Sequence, residues 1–535
     1  MLMRTLLFLV LFCIAVPARA QWYEASSNNF IVYSQGSEAD ARETAAKLER
    51  FHFVLRTYHR VTAPPPPNKL RVFLTAERNG VGRLAGLGPD SGIGGYYVSD
   101  ARGQMFVGTR SRQRVREGDL DPEYILLHEY THHFMYRYFP ATYPTWYSEG
   151  FAEFWGATRF LPNDVVEVGH PAEHRFQTLR DLGWMPIDRL FVVHNYREAG
   201  GFNVYLLYAE GWLILRYVFE HPERRQQLDR YLNLINGGAT YEAAMRQAFP
   251  DLARFNAQLY EYSSSVRYDV LRLPFRTIDV GPIATRLLRP AEQALIAYEV
   301  EVSQGYEARE AREKADEVRQ IAARFPDDPF AIGLVMETER LAGNNEAALA
   351  AADRLLAIQP NHARALTTKG LLQVAALRAA NSTDERAWGA ARRLFVRAAR
   401  AAPNDPIVLE AYYDSYLAQL VLPPDQAQAA LYAAMELAPS DPELRYKVAL
   451  DFEQRDMLRE AVAIIRPIAY ASPHRGDESE SERREREARE EREREAGRTR
   501  HETPREMLAR LERRLGLPPT TEPAPAPAAQ RRRRD

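Results

Sequence analysis

YILLHEYTHHFMYRYFPATYPTWYSEGFAEFW, which runs from Tyr124 to Trp155, is the segment around which the rest of the chain is organised. It contains His128, Glu129 and His132 at the spacing HExxH on a predicted helix. Histidines four residues apart share one helical face, so they can offer two imidazole nitrogens to a single zinc ion. Glu129 projects beside that ion, where it can take a proton from a water molecule. The segment therefore predicts a zinc site.

The following residues supply a third metal ligand. The sequence WYSEGFAE, at 146–153, predicts a second short helix with carboxylates at Glu149 and Glu153. Two histidines and a glutamate with an open fourth position are a common catalytic zinc arrangement, and we assign Glu149 to it. Glu153 stands one helical turn later, where it can accept a hydrogen bond from the distal nitrogen of a ligand histidine. A solvated helix carboxylate is the alternative interpretation of Glu153.

An ordinary buried helix with two hydrogen-bonded histidines is the competing interpretation of the HExxH segment. Leu126, Leu127 and Phe134 already provide an apolar face for such a helix. Glu129 would be costly there without a partner, which favours the metal site. His133 points away from the face shared by the two predicted ligands, so we assign it to the surroundings of the metal or to the core.

The motif pair HEYTHH and WYSEGFAEFW resembles the gluzincin zinc metallopeptidases, in particular the peptidase MA-like proteins of bacteria. In those proteins the HExxH helix is followed by a W-x-x-E-G-x-A-E/S helix. The resemblance is strong over the motif segment and loose over residues 21–280. It implies one zinc ion per chain, bound by His128, His132 and Glu149, with Glu129 as the general base. It also implies a peptide or protein as the substrate.

A tyrosine of a later helix is the predicted donor to the oxyanion. Gluzincin-like enzymes often use a tyrosine or histidine from a downstream helix, because charge that develops on the attacked carbonyl needs a donor. The apolar helix predicted at 202–219 carries Tyr205 and Tyr208 on one face, and we select Tyr208. Two tyrosines in an apolar helix are more often core residues, so that alternative stays open. His170 and His174 lie in a loop-like segment and are predicted to be at the surface.

The first residues have the pattern of a cleavable signal peptide. Residues 1–20, MLMRTLLFLVLFCIAVPARA, combine one arginine near the start, an apolar run and a cleavage site with small residues at Ala18 and Ala20. A membrane anchor is the competing interpretation, but the apolar run is too short to span a bilayer comfortably. Cys13, the one cysteine, lies in this run, so the mature chain has none and no disulfide can hold it together. We predict a bacterial protein exported to the periplasm or secreted, with no transmembrane segment in the mature chain.

Size and charge limit the remaining possibilities. About 515 residues follow the leader, which at roughly 150 residues per domain predicts two to four domains. The formal net charge of −2 gives no reason to expect a nucleic-acid partner.

Two parts of a catalytic domain are predicted. Residues 21–118 form its N-terminal α/β part, and residues 119–289 form its helical zinc-binding part. The α/β part is predicted to contain strands at 30–34, 69–74, 92–98 and 104–108 and a helix at 39–58. By resemblance to gluzincins, the strand at 104–108 is the candidate edge on which an extended peptide could pair.

A helical repeat array is predicted at residues 290–475. Prolines at 326, 360, 403, 439 and 473 close alanine- and leucine-rich helical pairs and step by 34, 43, 36 and 34 residues. A period near 34 resembles tetratricopeptide repeats. Such arrays bury a shared core by stacking and leave a concave groove that usually binds a peptide or a partner protein.

Residues 476–535 are predicted to be a charged, Pro/Ala-rich tail. Glutamate and arginine alternate over 477–495, which suits a solvated single helix or a disordered segment. Met507, Leu508, Leu511 and Leu515 could form a short amphipathic helix, but we predict a solvated tail.

The sequence therefore predicts an α+β protein. A gluzincin-like metallopeptidase domain, with a small α/β sheet and a helical part, precedes an all-α tetratricopeptide-like solenoid and a disordered or single-helix charged tail. The predicted function is an exported zinc-dependent peptidase. The alternative is a cell-envelope binding or assembly protein whose repeats bind a partner and whose zinc site is structural or degenerate. Intact Glu129 argues against that alternative, because a scaffold that used the metal only for folding would not need this carboxylate.

Overall fold

A computed structural model of the protein describes residues 21–88, 91, 93–112, 120–264, 269–275, 277–305, 308–469 and 502–517. The predicted leader and the Glu/Arg-rich segment of the predicted tail lie outside the described residues. Among the described residues, no helix combines the length and apolar character that crossing a bilayer requires.

Two sheets are formed by the strands of the described residues. The strands are β1 (Trp22–Ser26), β2 (Phe30–Gln35), β3 (Leu70–Thr75), β4 (Gly95–Asp100), β5 (Gly103–Thr109), β6 (Arg159–Phe160), β7 (Val165–Val168), β8 (Leu271–Pro274) and β9 (Ala284–Leu287). The larger sheet has the order β4-β5-β3-β2-β1-β9, and the smaller one has the order β6-β7-β8. In the larger sheet β3 pairs in parallel with β2 and β5, and the other pairs are antiparallel.

The edge of the larger sheet differs from the prediction. The strand predicted as the edge, at 104–108, lies within β5, which is enclosed between β4 and β3. The edge strand on this side is β4, because a tight turn at Ala101 and Arg102 folds it back along the outer side of β5. The prediction was wrong because local composition marks a strand but does not reveal its neighbours in the sheet.

Two helices cover opposite faces of the larger sheet. They are α1 (Glu38–Tyr58) and α2 (Arg78–Leu84). α1 begins in a capping box, since the Ser37 hydroxyl accepts the N–H of Asp40 and the Asp40 carboxylate accepts the N–H of Ser37. Successive strand residues point to opposite faces, so Val72 packs in the core under α1 while Phe73 packs on the other side with α2.

A helical layer follows the larger sheet. Its helices are α3 (Pro122–Tyr138), α4 (Thr145–Gly156), α5 (Glu173–Leu182), α6 (Ile187–Leu190), α7 (Tyr196–Ala199), α8 (Asn203–Glu220), α9 (Pro222–Asn236), α10 (Tyr241–Ala248) and α11 (Leu252–Ser263). One continuous apolar core joins α1, α3, α4 and α8. α3 carries the HExxH motif and begins where the Asp121 carboxylate accepts the N–H of Glu123 at 2.8 Å.

Helices α4 and α8 touch at the level of their backbones. A side-chain carbon at Gly150 would lie 2.3 Å from the carbonyl carbon of Gly211, and one at Gly211 would lie 2.1 Å from the carbonyl oxygen of Trp146. Only glycine fits at such separations. The pair of glycines therefore sets how closely α4 approaches α8.

The next helix, α12 (Pro290–Gln304), belongs to two cores at once. Its Ile296 and Val300 pack with Trp22 and Phe73 on the outer face of the larger sheet. Its Leu295 packs on the opposite side, against the helices that follow. The regular helix pairs begin at Pro290, after β9, and the two sides of that boundary share α12.

The described part of the repeat region consists of helix pairs. α12 pairs with α13 (Ala308–Ala322), and four further pairs follow: α14 (Pro329–Leu341) with α15 (Asn345–Ile358), α16 (Ala363–Ala379) with α17 (Glu385–Ala401), α18 (Pro406–Ala418) with α19 (Asp425–Leu437), and α20 (Pro442–Gln454) with α21 (Leu458–Ala469). The predicted prolines at 326, 360, 403 and 439 lie in the turns between pairs. The predicted helical solenoid is therefore confirmed.

The described segment of the predicted tail, residues 502–517, differs from the predicted solvated tail. Residues Pro504–Arg514 form a helix, α22, that packs on α21. Its Met507, Leu508 and Leu511 are buried in an apolar cluster with Ala461 and Ile465. The apolar spacing that the sequence shows is thus used to cover the last pair, as repeat arrays need at their ends.

We expect that a protein truncated after Arg289 does not fold into a stable unit, because removing α12 uncovers Trp22, Phe73 and Met105 on the sheet. Each side chain left exposed forfeits about 1.5–3 kcal/mol. Thermal unfolding measured by circular dichroism tests this, and a protein that ends at Gly305 and keeps α12 is the control. A cooperative transition of the shorter protein at the control's temperature would contradict the shared core.

Candidate metal centre

Helices α3 and α4 bring three ligand atoms together. Nε2 of His128 lies 3.1 Å from Nε2 of His132. Oε2 of Glu149 lies 3.4 Å from the first nitrogen and 3.5 Å from the second. All three side chains are buried. Within the described residues, this is the one cluster of three or more His, Cys, Asp or Glu side chains with ligand atoms close enough to share an ion. We call these three atoms the ligand triangle.

The ligand triangle fits the spacing of a tetrahedral zinc ion. With zinc–ligand bonds of about 2.0–2.2 Å and a ligand–zinc–ligand angle of about 109°, neighbouring ligand atoms lie about 3.3–3.6 Å apart. The three distances of 3.1, 3.4 and 3.5 Å come close to that spacing. Three protein atoms leave the fourth corner to water or substrate. The donor set fits zinc in number, chemical type and spacing.

The charges around the triangle favour a cation. Burial lowers the pKa of His128, but hydrogen bonds to Glu149 and Glu153 outweigh burial and raise that pKa to about 10. Burial also lowers the pKa of His132, and Glu149 opposes this without reversing it. The buried carboxylates thus stabilise positive charge at His128, and a metal ion meets the same need as a proton.

Glu153 lies buried behind His128. Its Oε1 is 3.2 Å from His128 Nδ1, on the side of the ring away from the ligand triangle. Arg175 donates two hydrogen bonds to the carboxylate, from Nε at 2.7 Å and from Nη2 at 2.6 Å. Tyr124 donates its hydroxyl to the same carboxylate, and His174 Nε2 lies 3.3 Å from it.

The charge of Glu153 is set by Arg175. Burial raises the pKa of Glu153, but Arg175 outweighs burial and holds that pKa well below its usual range. A charged carboxylate at Nδ1 can fix the imidazole of His128 with Nε2 towards the ligand triangle. Glu153 is 1% exposed, so the alternative of a solvated carboxylate is wrong. Sequence reasoning did not find Arg175, because a lone arginine carries no spacing signal.

Tyr196 is a second residue that sequence reasoning missed. It lies on the four-residue helix α7 and donates its hydroxyl to Glu149 Oε1 at 2.5 Å. Burial raises the pKa of Tyr196 well above its usual value, and Glu149 raises it further, so the hydroxyl keeps its proton. Tyr196 therefore engages the oxygen of Glu149 that lies outside the ligand triangle. No motif connects a tyrosine 47 residues away with Glu149.

Glu129 and Tyr208 lie close to the ligand triangle. The Tyr208 ring stacks towards His128, with ring centres 6.2 Å apart, and Arg175 lies 4.8 Å from the centre of the Tyr208 ring. Burial raises the pKa of Tyr208 well above its usual value, so its hydroxyl can donate. Glu129 is partly exposed, and its charge acts on both His128 and Tyr208. Tyr205, the other tyrosine considered, is 51% exposed.

The other three histidines discussed in the sequence analysis, His133, His170 and His174, lie outside the ligand triangle. His133 contributes to the core, where its Nδ1 lies 2.8 Å from the hydroxyl of Tyr97 in β4. The predicted surface position of His170 and His174 is wrong, because their side chains are only 11% and 29% exposed. β7 and α5 fold their segment back over α4, which a loop-like composition did not reveal.

Comparison with known proteins finds neither a matching family model nor a matching curated protein. Among solved structures, 25 chains match. One is MamA, residues 41 to the end, from Desulfovibrio magneticus RS-1, with 18% identity over 29% of this chain and 81% of that one and a TM-score of 0.23. A double mutant, MamA RS-1 ArsTM, has 17% identity over 30% of this chain and 84% of that one and a TM-score of 0.24.

A third similar structure is a thermophilic TPR protein of Thermus thermophilus. It has 20% identity over 34% of this chain and 89% of that one, and the TM-score is 0.26. These similar structures are tetratricopeptide-repeat proteins, so the likeness concerns the repeat fold alone. It gives no support for a peptidase domain.

We expect purified protein to carry about one zinc ion per chain, and replacing His128, His132 or Glu149 with alanine to remove most of it, because a three-ligand site cannot hold the ion with two. Elemental analysis after dialysis measures the metal. His133→Gln is the matched control, since His133 lies beside His132 but outside the ligand triangle and should leave the zinc in place. Full zinc retention in Glu149→Ala would show that the third ligand lies elsewhere.

We expect Arg175→Met to lower the free energy of unfolding by about 3–5 kcal/mol, because it leaves the charge of Glu153 buried without its cationic partner. Glu153→Gln in the same protein removes that charge and should recover most of the loss. Zinc affinity should fall about 10–100-fold in both proteins, since neither holds the His128 ring as before. Denaturant unfolding and zinc titration measure the two effects, and unchanged stability of Arg175→Met would refute the charged pair.

Proposed function

We propose that the protein is an exported zinc-dependent peptidase that hydrolyses peptide bonds with a glutamate as general base. The observation that supports this most is the ligand triangle, in which His128 is followed along α3 by Glu129. A zinc site that serves folding alone normally has four protein ligands. Here three protein atoms meet, and the partly exposed carboxylate of Glu129 acts electrostatically on His128.

Each polar side chain near the triangle has a place in this mechanism. Zinc, when bound, supplies Lewis-acid polarisation of a water molecule and of the scissile carbonyl. Glu129 accepts the proton of the attacking water and passes it to the leaving amine. Tyr208 donates its hydroxyl to the carbonyl oxygen as negative charge develops there. Tyr196 and Glu153 hold ligand side chains in place.

The edge strand β4 is the candidate surface for the peptide backbone. It packs beside α3, the helix that carries His128 and His132. An extended peptide can add to a sheet edge through main-chain hydrogen bonds, while its side chains occupy pockets on alternate sides. A peptide on β4 would therefore lie alongside the ligand triangle.

The alternative function is a cell-envelope binding or assembly protein whose repeats bind a partner. The similar solved structures agree with this alternative better than with a peptidase, because they are repeat proteins. Their TM-scores of 0.23–0.26 make this an agreement in fold type and not in function. The two functions share the repeat array and differ in whether Glu129 acts in catalysis.

We expect Glu129→Gln to keep its zinc and to lower the rate of peptide hydrolysis by about 10²–10⁴-fold, because the amide keeps the shape but cannot accept a proton. A fluorogenic peptide library and elemental analysis provide the two measurements. Glu123→Gln is the control: Glu123 lies on the same helix, pairs with Lys47, and should be dispensable for hydrolysis. A zinc-loaded wild type that cleaves no peptide of the library would favour the binding protein instead.

A further inference from the structure

One segment of the repeat array contacts both the HExxH helix α3 and the β4–β5 hairpin that packs beside it. We call residues 436–441, which comprise the end of α19 and the turn before α20, the array turn. Asp441 Oδ2 accepts the backbone N–H of Ala101 at 2.6 Å, and Ala101 lies at the tip of the β4–β5 hairpin. The backbone carbonyl of Glu436 accepts Nη1 of Arg137 at 2.5 Å, and Arg137 lies in the last turn of α3. The array turn thus contacts the edge strand and the HExxH helix together.

The tip of the β4–β5 hairpin packs against a preformed surface of the array. Ala101 packs against the apolar cluster that α18, α19 and α20 share. Asp441 is 4% exposed, and its other oxygen accepts the N–H of Leu444 at 2.9 Å, which caps α20. The same carboxylate therefore starts an array helix and holds the hairpin. Its position is fixed by the fold of the array.

Further contacts join the sheet to other parts of the array. Arg71 of β3 lies 3.3 Å from Glu299 of α12, which also lies 3.4 Å from Arg364 of α16. Asn68 donates to the backbone carbonyl of Asn404 at 2.7 Å, in the turn before α18. Contacts of the sheet therefore extend along the array from α12 to α20.

We propose that the partner bound by the repeat array is the β4–β5 hairpin of the same chain, and that the array turn positions β4 and α3 against each other. Repeat arrays present an extended surface to a partner, and a partner on the same chain has a high effective concentration. An outside peptide must therefore displace the hairpin to use this surface. β4 also contacts the HExxH helix itself, because the hydroxyl of Tyr97 lies 2.8 Å from Nδ1 of His133.

Thiol labelling tests directly whether the hairpin tip is covered by the array. The one cysteine of the chain is Cys13, in the predicted leader, so Ala101→Cys gives the mature protein a single thiol. The reference is Ala380→Cys, at an exposed position between α16 and α17. We expect a small hydrophilic maleimide to react with the thiol at 101 at least tenfold more slowly than with the reference thiol. Equal rates would overturn the proposal.

A second variant releases the hairpin from the array side. Asp441→Asn in the Ala101→Cys protein keeps one oxygen for the cap of α20 but replaces the other oxygen, which accepts the N–H of residue 101, with an NH2 group that can only donate. Labelling at 101 should accelerate at least fivefold. Asp384→Asn is the matched control, because Asp384 caps α17 and accepts N–H groups of its own helix. An unchanged rate in Asp441→Asn, or the same acceleration in Asp384→Asn, would contradict the proposal.

A third variant leaves the array unaltered and removes the donor. Ala101→Pro lacks the backbone N–H, and proline is favoured at the second position of a four-residue turn, so the hairpin can still form. Hydrogen exchange of β4 should accelerate at least tenfold while exchange in α14 and α15 stays the same. Unchanged exchange in β4 would refute positioning by the array. Neither measurement depends on hydrolysis, so failure of the proposed peptidase function leaves this test intact.

Discussion

The contact between Gly150 and Gly211 determines where the chemical groups of this protein lie. With a backbone-to-backbone approach of α4 and α8 at this point, Glu149 on one helix and Tyr208 on the other both reach His128. A further glycine, Gly156, allows the end of α4 to lie against α3, since a side-chain carbon there would be 3.2 Å from Cβ of His128. α4 therefore packs closely against both neighbours, and a larger residue at Gly150 or Gly211 would force α4 and α8 apart and displace Glu149.

The charges buried near the triangle are stabilised because each charged side chain contacts a partner. Arg175 offsets Glu153, and Glu153 lies at Nδ1 of His128, whose other nitrogen belongs to the ligand triangle. Tyr196 donates to Glu149 without neutralising it. Negative charge therefore remains concentrated at Glu149, beside the two imidazole nitrogens. Such an arrangement attracts a dication more strongly than a layer of fully compensated pairs would.

The sequence predicted the parts of the site that follow one another along a helix and missed the parts that come from elsewhere. His128, Glu129 and His132 are connected by the 3.6-residue period, and Glu149 follows in a second recognisable motif. Tyr196 and Arg175 reach the site from a four-residue helix and from a segment with a loop-like composition, so only tertiary packing reveals them. The same reason explains the misplaced edge strand and the unexpected burial of α22, because strand order and helix docking depend on partners far away in the sequence.

The place of β9 in the larger sheet has a consequence for how the protein folds. β1 pairs with β9, so Tyr23 lies opposite Leu287 in the sheet although the two residues are far apart in the sequence. The sheet is then covered by α12, which is made later still. Contacts between such distant residues form slowly, because the entropy of closing a long loop is lost before the contact stabilises the chain. The N-terminal strands therefore stay without β9 and α12 until about residue 300 has been synthesised. A chain with this order of contacts stays unfolded for longer during its synthesis.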